Sequence, residues 1–323
     1  MRGARSIRIP LQLTRREKNH IRGNARHTMK HWYSTFFLIA AFCSAPGARA
    51  QDQPLSPADV QALAQRAIAN QHGDDLALDQ FERIEHTQVR KPGANPVVTQ
   101  ETLNRVLPTG TGTMRLPLAA PGKPANPVTY HDGLVYLANV LSMVSQPDAV
   151  EQQTLARYRK RQQQRADMVT TIGGAYRFSW IGRETRDGRT AIKLQMDPIP
   201  GFHSANPIAQ AFTHVRAIVW IDESTSQMMH LEAEVTSDVY FGAGIIAKLY
   251  RGGRFVMDQS EVAPGVWEPV RYQYDLDGRK FLFSFGDHET TEFSQYRRVG
   301  APAEELQAIR NELSTAAGGP ARP

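Results

Sequence analysis

The string YRFSWIGRETRDGRTAIKLQM, residues 176–196, alternates apolar and polar side chains on both sides of the central Asp187-Gly188 pair. A period of two is typical of a strand with one buried face, and Asp-Gly between two such runs is a strong hairpin signal. The string therefore predicts two antiparallel strands joined by a tight turn.

The same pattern continues towards the C-terminus. Val219–Asp222 leads through a turn at 223–226 into the alternating run Leu231–Val235, and Phe255 and Met257 open a further strand. Such a succession predicts a meander of antiparallel strands, each with one apolar face.

A final pair of strands is expected where Val270–Leu276 is followed by an Asp277-Gly278 turn and then by Phe281–Phe285. Only three short segments are available to cover this meander: a helix at 57–70 that Gly73 ends, Ile208–Phe212 and Gly242–Leu249. We therefore predict a mainly β (α+β) fold, in which a curved antiparallel half-barrel sheet with a few covering helices encloses a cavity.

Three regions are expected along the chain: a leader and signal peptide at 1–50, a single β domain at 51–300, and a short helix, Pro302–Leu313, with a disordered tail in 301–323. Within the β domain we expect a loop at 108–127, a turn between two strands at 130–136 and a polar helix near 147–169.

The N-terminal region has the features of a secretory signal peptide. Met29-Lys30 is followed by the apolar run 35–42 and by Ala48-Arg49-Ala50, a small-x-small cleavage site. We expect translation to start at Met29, cleavage after Ala50 and a periplasmic location. Phe42 before Cys43 disfavours a lipoprotein signal, and cleavage after Ala50 removes the only cysteine and any disulfide with it.

The basic composition belongs to the leader. Residues 1–50 hold ten of the 38 Lys and Arg residues and one of the 32 Asp and Glu residues, so residues 51–323 hold 28 and 31 and a formal net charge of −3. A chain of that charge does not favour a nucleic-acid partner.

Several short pieces of the second half, together with the signal peptide and the amphipathic first helix, carry a resemblance to a known group: Gly182-Arg183-Glu184-Thr185, Asp187-Gly188-Arg189, Trp220-Ile221-Asp222, Leu231–Val235, Gly242–Leu249, Val266-Trp267-Glu268-Pro269 and Phe293–Arg298. The chain resembles the lipoprotein-carrier superfamily of periplasmic proteins, with its LolA-like carriers, LolB-like receptors and RseB-like stress regulators. It looks most like an uncharacterised outer-membrane lipoprotein-sorting branch. The resemblance implies a half-barrel sheet under a lid, with a hydrophobic cavity that holds acyl chains in characterised relatives. It assigns no catalytic or binding residue.

No catalytic or metal-binding motif is present in the sequence. There is no Gly-x-Ser-x-Gly elbow, His-Glu-x-x-His pair or phosphate loop, and the histidines are scattered without ligand spacing. Glu232 and Glu234 share the polar face of one strand, where a solvated face is a simpler explanation than acid–base chemistry. We therefore expect no catalytic residue, no metal and no cofactor, and a protein that is not an enzyme.

Rows of aromatic residues are the best candidates for a ligand site. They line either a ligand cavity or an ordinary sheet core. The candidate cavity residues are Tyr176, Phe178, Trp180, Trp220, Tyr240, Phe241, Phe281, Phe283 and Phe285. The run Gly242–Leu249 fits a buried strand or a lid, with a membrane contact as the alternative.

The leading functional prediction is a non-enzymatic periplasmic protein that binds a lipid or lipoprotein acyl chains, in outer-membrane lipoprotein sorting or envelope maintenance. The alternative is an envelope-stress sensor that acts by binding a periplasmic or membrane protein. A hydrolase is a third possibility, which a Ser/His/acid cluster in the folded chain would support.

Overall fold

The computed structural model describes residues 53–91, 96–146, 149–241, 247–281 and 283–317. Thirteen strands lie in these ranges and belong to one sheet. Their bounds are β1 Phe81–Lys91, β2 Val97–Pro108, β3 Thr113–Ala120, β4 Lys123–Pro124, β5 Tyr176–Arg186, β6 Arg189–Pro198, β7 Val215–Asp222, β8 Met228–Val235, β9 Val239–Phe241, β10 Ala247–Leu249, β11 Arg254–Ala263, β12 Val266–Lys280 and β13 Phe283–Arg298.

The helices of the described ranges are α1 Pro57–Ala77, α2 Pro127–Ser145, α3 Ala149–Gly174, α4 Pro207–Ala211 and α5 Pro302–Ala317. Three of them, α1, α2 and α4, begin at a capping side chain followed by proline. The Ser56 hydroxyl accepts from the N–H of Asp59 at 3.2 Å, and the Asn126 side chain accepts from the N–H of Val128 at 3.0 Å. These caps satisfy N–H groups that have no partner inside the helix, so the local sequence fixes where α1 and α2 start.

The strands follow one antiparallel path in the order β4-β3-β2-β1-β13-β12-β11-β8-β7-β6-β5, and β9 and β10 attach beside β12. Across the described residues the path stays open, with β4 at one end and β5 at the other. This confirms the predicted fold class: a mainly β (α+β) chain whose large antiparallel sheet carries a few covering helices.

The helices cover the sheet in two separate places. Helix α1 packs on the strands at the β5 end, in a cluster of Val60, Leu63, Ala67, Ile192, Leu194, Val219 and Ile221. Helices α2 and α5 pack on the other end, in a cluster of Leu107, Leu116, Leu134, Leu137, Leu141, Leu306 and Ile309. The remaining middle of the sheet, from β1 to β11, is therefore only partly covered.

The expected loop at 108–127 and the expected turn at 130–136 are both wrong. The first contains β3 and β4, and the second lies inside α2. The Asp132-Gly133 pair suggested a turn, but the leucines at 134, 137 and 141 lie on one helical face against Leu116. Gly133 belongs to this contact, because a Cβ there would lie 2.4 Å from Leu116 Cδ2.

Two predicted boundaries are also wrong. Helix α1 continues past Gly73 to Ala77, and β12 continues through Asp277-Gly278 to Lys280. Gly278 pairs with Phe285 within the ladder. A Cβ on it would lie 2.5 Å from the Phe285 ring, so this glycine serves a close packing contact rather than a turn.

Several expectations fall outside the described ranges. They include the leader and signal peptide, most of Gly242–Leu249 and the C-terminal tail, while 247–249 forms β10. The domain limits stay a prediction. Among the described residues, no helix combines the length and the apolar character that a bilayer crossing requires.

Candidate functional site

One row of directly opposed residues crosses nine strands on a single face of the sheet. Opposed residues in an antiparallel ladder point to the same side, so the row shows which side chains share a face. From the β3 end it consists of Leu118, Leu103, His86, Glu292, Arg271, Asp258, His230, Trp220 and Lys193. We call these nine residues the cross-strand row.

A cavity lies on the face that carries this row. It has a volume of about 1120 Å³ and is lined both by 118–121, at the β3 end, and by Arg186 and Asp187 in the β5–β6 hairpin. The hairpin reaches it because the Arg186 side chain bonds Asp258 of β11. We call this cavity the cleft.

The cleft has an apolar end near β3, formed by Ile84, Leu103, Leu118 and 119–121, and a charged end near β11, formed by Arg186, Asp258 and Arg271. Between them, next to Leu103, the pair His86 and Glu101 also lines the cleft, with Nε2 and Oε1 2.6 Å apart. Helix α1 lies on the opposite face, because Val219 and Ile221 flank Trp220 in β7 and contact α1. Neither α1 nor its core occupies the cleft.

Asp258 is the centre of the charged end. Its Oδ1 lies 2.6 Å from His230 Nδ1 and accepts from Arg186 Nη2 at 2.9 Å, and its Oδ2 lies 3.6 Å from Arg271 Nη1. Burial by itself raises the pKa of this carboxyl, but His230 and Arg186 outweigh it and hold the pKa below the usual value. Asp258 is thus a carboxylate that fixes two arginines and a histidine.

Trp220 is held rigidly beside this group. Its ring meets the His230 ring edge-on with centroids 4.7 Å apart, Lys193 Nζ lies 4.5 Å from the indole centroid, and its Nε1 donates to Glu184. A buried indole with its N–H bonded and a cation over its face has little rotational freedom. The charged end of the cleft is therefore preorganised.

Gln259 lines the cleft with a side chain that lacks protein partners. It is 3 % exposed, and neither its Nε2 nor its Oε1 has a hydrogen-bond partner within the described part of the chain. An unsatisfied buried amide costs free energy. Both polar atoms of this amide are buried, so the cleft surface does not present them.

A separate pair of buried acids joins α1 to the sheet. Asp74 Oδ1 accepts from the backbone N–H of Trp267 at 3.1 Å, and Glu268 follows in β12 with 1 % exposure. Burial, and secondly the Asp74 charge, raise the pKa of Glu268 to about 9. Burial also raises the pKa of Asp74 to about 6, against the lowering effect of the Trp267 bond. These groups hold α1 in place and lie outside the cleft.

The structure does not bring the nine predicted aromatic residues together. Trp220 lies in the cross-strand row, whereas Phe178 and Trp180 pack against the α1 cluster on the opposite face. Tyr176 is buried, and its hydroxyl donates to the carbonyl oxygens of Phe212 and Val215 at 3.0 and 3.1 Å.

The other predicted residues lie at the far end of β12 and β13. Phe281, Phe283 and Phe285 are exposed, as is Tyr240, and Phe241 is half-buried in β9. Sequence reasoning missed Arg186, Asp258 and Gln259, because polar residues that alternate with apolar ones were expected to face solvent.

The contacts of His214 and His230 in the described part of the chain are not those of a catalytic set. His214 Nδ1 lies 2.7 Å from Ser237 Oγ on the exposed surface, and both ring nitrogens of His230 face carboxylates rather than a hydroxyl. In the described ranges no group of three or more His, Cys, Asp or Glu residues is placed to hold a metal ion.

No protein-family model matches the chain, and no curated protein matches it. Several solved structures are similar to it. A putative outer-membrane lipoprotein-sorting domain from Vibrio parahaemolyticus is 11% identical over 79% of this chain and 100% of that chain, with a TM-score of 0.31. A LolA-superfamily protein from Nitrosomonas europaea is 11% identical over 76% of this chain and 96% of that chain, with a TM-score of 0.26.

A DUF1329-family protein from Desulfovibrio piger is also similar, at 12% identity over 74% of this chain and 92% of that chain, with a TM-score of 0.26. The structures found include members of the superfamily that the sequence resembles. At these identities and TM-scores the similarity concerns the fold and carries nothing about ligand, partner or location.

Proposed function

We propose that this protein is a non-enzymatic envelope protein that binds an amphiphile, either a lipid or the acyl chains of a lipoprotein, in the cleft. The observation that supports this most directly is that a single cavity has leucine and isoleucine side chains near β3 and a group of arginines and a carboxylate near β11. An amphiphile has the same division. Its chains would lie against Ile84, Leu103 and Leu118, and its head group would lie beside Arg271, Asp258 and Arg186.

The size of the cleft agrees with a large ligand. Its volume of about 1120 Å³ exceeds the ~300–1,000 Å³ typical of sites for drug-sized molecules. Each acyl methylene removed from water contributes about 0.8 kcal/mol, so a chain that covers the apolar end supplies most of the affinity.

The charged end would select the head group. Arg186 and Arg271 are already paired with Asp258, so the surface offers fixed charges of both signs rather than one unpaired cation. Such a surface suits a head group that carries both donors and acceptors. Of the aromatic residues predicted from the sequence, Trp220 alone is kept, as a support of the charged end that packs on His230 and does not itself line the cleft.

The proposed location is the periplasm. It is supported by the signal-peptide pattern that ends at Ala50 and by the resemblance to periplasmic carriers. Recovery of a mature chain that begins at Gln51 from the periplasmic fraction is the expected result. An uncleaved chain in the cytoplasm would contradict it.

Native mass spectrometry after purification without detergent tests the binding function. We expect a co-purifying amphiphile with the wild type, loss of that mass in Leu103→Glu, and its retention in Val128→Glu. Val128 is the matched control because it is an exposed residue of α2 outside the cleft lining. A folded wild-type protein without any bound amphiphile would contradict the proposal and favour the protein-binding regulator predicted as the alternative.

A further inference from the structure

The hairpin of β12 and β13 projects beyond its neighbouring strands. Pairing of β11 with β12 reaches only Asp275, and pairing of β1 with β13 reaches only Glu289. Beyond these residues the two strands pair with each other as far as Lys280 and Phe283, with the three-residue β10 alongside. At about 3.3 Å per residue, this projection is on the order of 17 Å long.

The projecting end carries an unusual concentration of exposed aromatic side chains. Phe281, Phe283 and Phe285 are 54 %, 78 % and 41 % exposed, and Tyr240 of the adjoining β9 is 56 % exposed. In the described part of the chain, every phenylalanine among the exposed large hydrophobic residues lies in this hairpin. We call these four residues the aromatic tip.

Cations accompany the aromatic tip. Lys248 Nζ lies 5.0 Å from the Tyr240 ring centroid and 2.6 Å from Asp238 Oδ2, and the exposed Lys280 ends β12. Asp277 lies on the same hairpin, so acids and bases are nearly balanced here. Apolar insertion therefore outweighs charge attraction at this surface.

We propose that the aromatic tip docks on the surface of a phospholipid bilayer and inserts its phenylalanine rings between the lipids. The narrow shape of the tip favours a bilayer over a stable protein interface. The exposed parts of the four rings amount to about 450 Å², taking ~200 Å² for a whole side chain, and they lie at the end of a two-stranded projection rather than on a broad face of the ~800 Å² that a standard interface buries on each partner.

A bilayer requires no shape complementarity from the tip. Aromatic rings and nearby lysines are the residues that partition to the membrane–water interface, with rings at the acyl boundary and ammonium groups among the head groups. A tip of this size gives weak and reversible docking. It stands apart from the cleft and does not depend on what the cleft binds.

Flotation with vesicles of mixed phosphatidylethanolamine and phosphatidylglycerol tests the proposal on the full chain. We expect the wild type to float with the vesicles. The vesicle-binding constant of Phe283→Glu should be lower by about tenfold or more, because burial of one phenylalanine side chain raises such a constant by at least about a factor of ten. Tyr136→Glu is the matched control, because Tyr136 is 62 % exposed on α2. Equal losses in both variants, unchanged binding of Phe283→Glu, or no binding by the wild type would each overturn the proposal.

A second readout reports insertion at the tip itself. In Phe283→Trp, a residue already exposed in the fold is replaced, so folding is preserved. The added indole should shift its emission to the blue on vesicle addition and be quenched by lipids with brominated acyl chains. If Phe283→Trp binds vesicles but its indole shows neither the blue shift nor the quenching, the rings do not insert and the proposal is overturned.

Discussion

Asp258 and His230 face each other across β11 and β8, and Asp258 Oδ1 lies 2.6 Å from His230 Nδ1. The same oxygen accepts from Arg186, so one carboxylate connects a strand, its neighbour and the β5–β6 hairpin. The face with the cross-strand row thus has a fixed polar centre, and the row reaches Leu103 and Leu118 only at its β3 end.

We predict that Asp258→Asn destabilises the protein by about 1.5–3 kcal/mol at neutral pH, since it weakens charge-assisted hydrogen bonds that a half-buried carboxylate makes. Because the folded-state pKa of Asp258 is lowered, its stabilisation is present above the unfolded-state pKa and is lost as pH falls through the folded-state pKa. Urea unfolding at several pH values measures both effects.

Glu232→Gln is the control for this variant, because Glu232 contacts the same His230 but is 54 % exposed. A surface pair of this kind contributes about 1 kcal/mol or less. An equal loss of stability in both variants would contradict the central role of Asp258.

A second prediction concerns Glu268, whose pKa rises from 4.5 to about 9 on folding. In that pH interval the folded chain keeps a proton that the unfolded chain releases, so the free energy of unfolding falls as pH rises. Glu268→Gln should flatten this fall and stabilise the protein on the order of 2 kcal/mol near about pH 8.

Thermal unfolding across pH measures this effect, with Glu234→Gln as an exposed control in β8. A wild-type stability that rises between pH 4.5 and about 9, with the same slope in Glu268→Gln, would be the opposite of the expected result.

A third prediction tests the packing of α2. Gly133→Ala should destabilise the protein by about 1–2 kcal/mol, because the clash with Leu116 Cδ2 outweighs the better helix propensity of alanine. Gly73→Ala in α1 should stabilise it by about 0.5–1 kcal/mol, since a Cβ there meets nothing within 4 Å. Chemical denaturation of the two variants should give changes of opposite sign, and changes of the same sign would contradict the packing.

A fourth prediction concerns α3, which Asp79 anchors. Asp79 Oδ2 accepts from the hydroxyl of Tyr158 and from Gln162 Nε2, the latter at 2.9 Å. Asp79→Ala should speed amide exchange in α3 about fivefold, since local opening loses roughly 1 kcal/mol. Hydrogen exchange in α2 should not change.

Asp167→Ala is the control for α3, because Asp167 bonds Gln163 within the same helix. Similar exchange in the wild type and Asp79→Ala would show that Asp79 does not hold the helix.

The sequence predicted the meander because hairpins such as 176–196 combine period-two patterns with a local turn signal. It failed for α2, where Asp132-Gly133 has the composition of a turn and only the distant Leu116 explains the glycine. Such contacts depend on residues far apart in the chain, which local patterns do not contain.

The candidate site was harder to predict for the same reason. The alternation in β7 separates Trp220 from Val219 and Ile221, but which of the two faces carries the cleft depends on strands that are far apart in the chain. Asp258 and Arg271 lie on a face that looks solvated in the sequence, and only the fold brings both Arg186 and Arg271 to the Asp258 carboxylate. The aromatic alternation at 281–285 predicted a shared face, but nothing local indicates that this hairpin extends beyond the sheet.

Photo-cross-linking tests amphiphile binding in the cleft most directly. A fatty acid with a photoreactive group at the end of its chain is bound to the protein, illuminated and mapped by mass spectrometry of peptides. We expect labels around Ile84, Leu103 and Leu118, which Leu103→Glu abolishes and Val128→Glu leaves in place. Labels confined to the aromatic tip, or no saturable labelling of the folded protein, would contradict binding in the cleft.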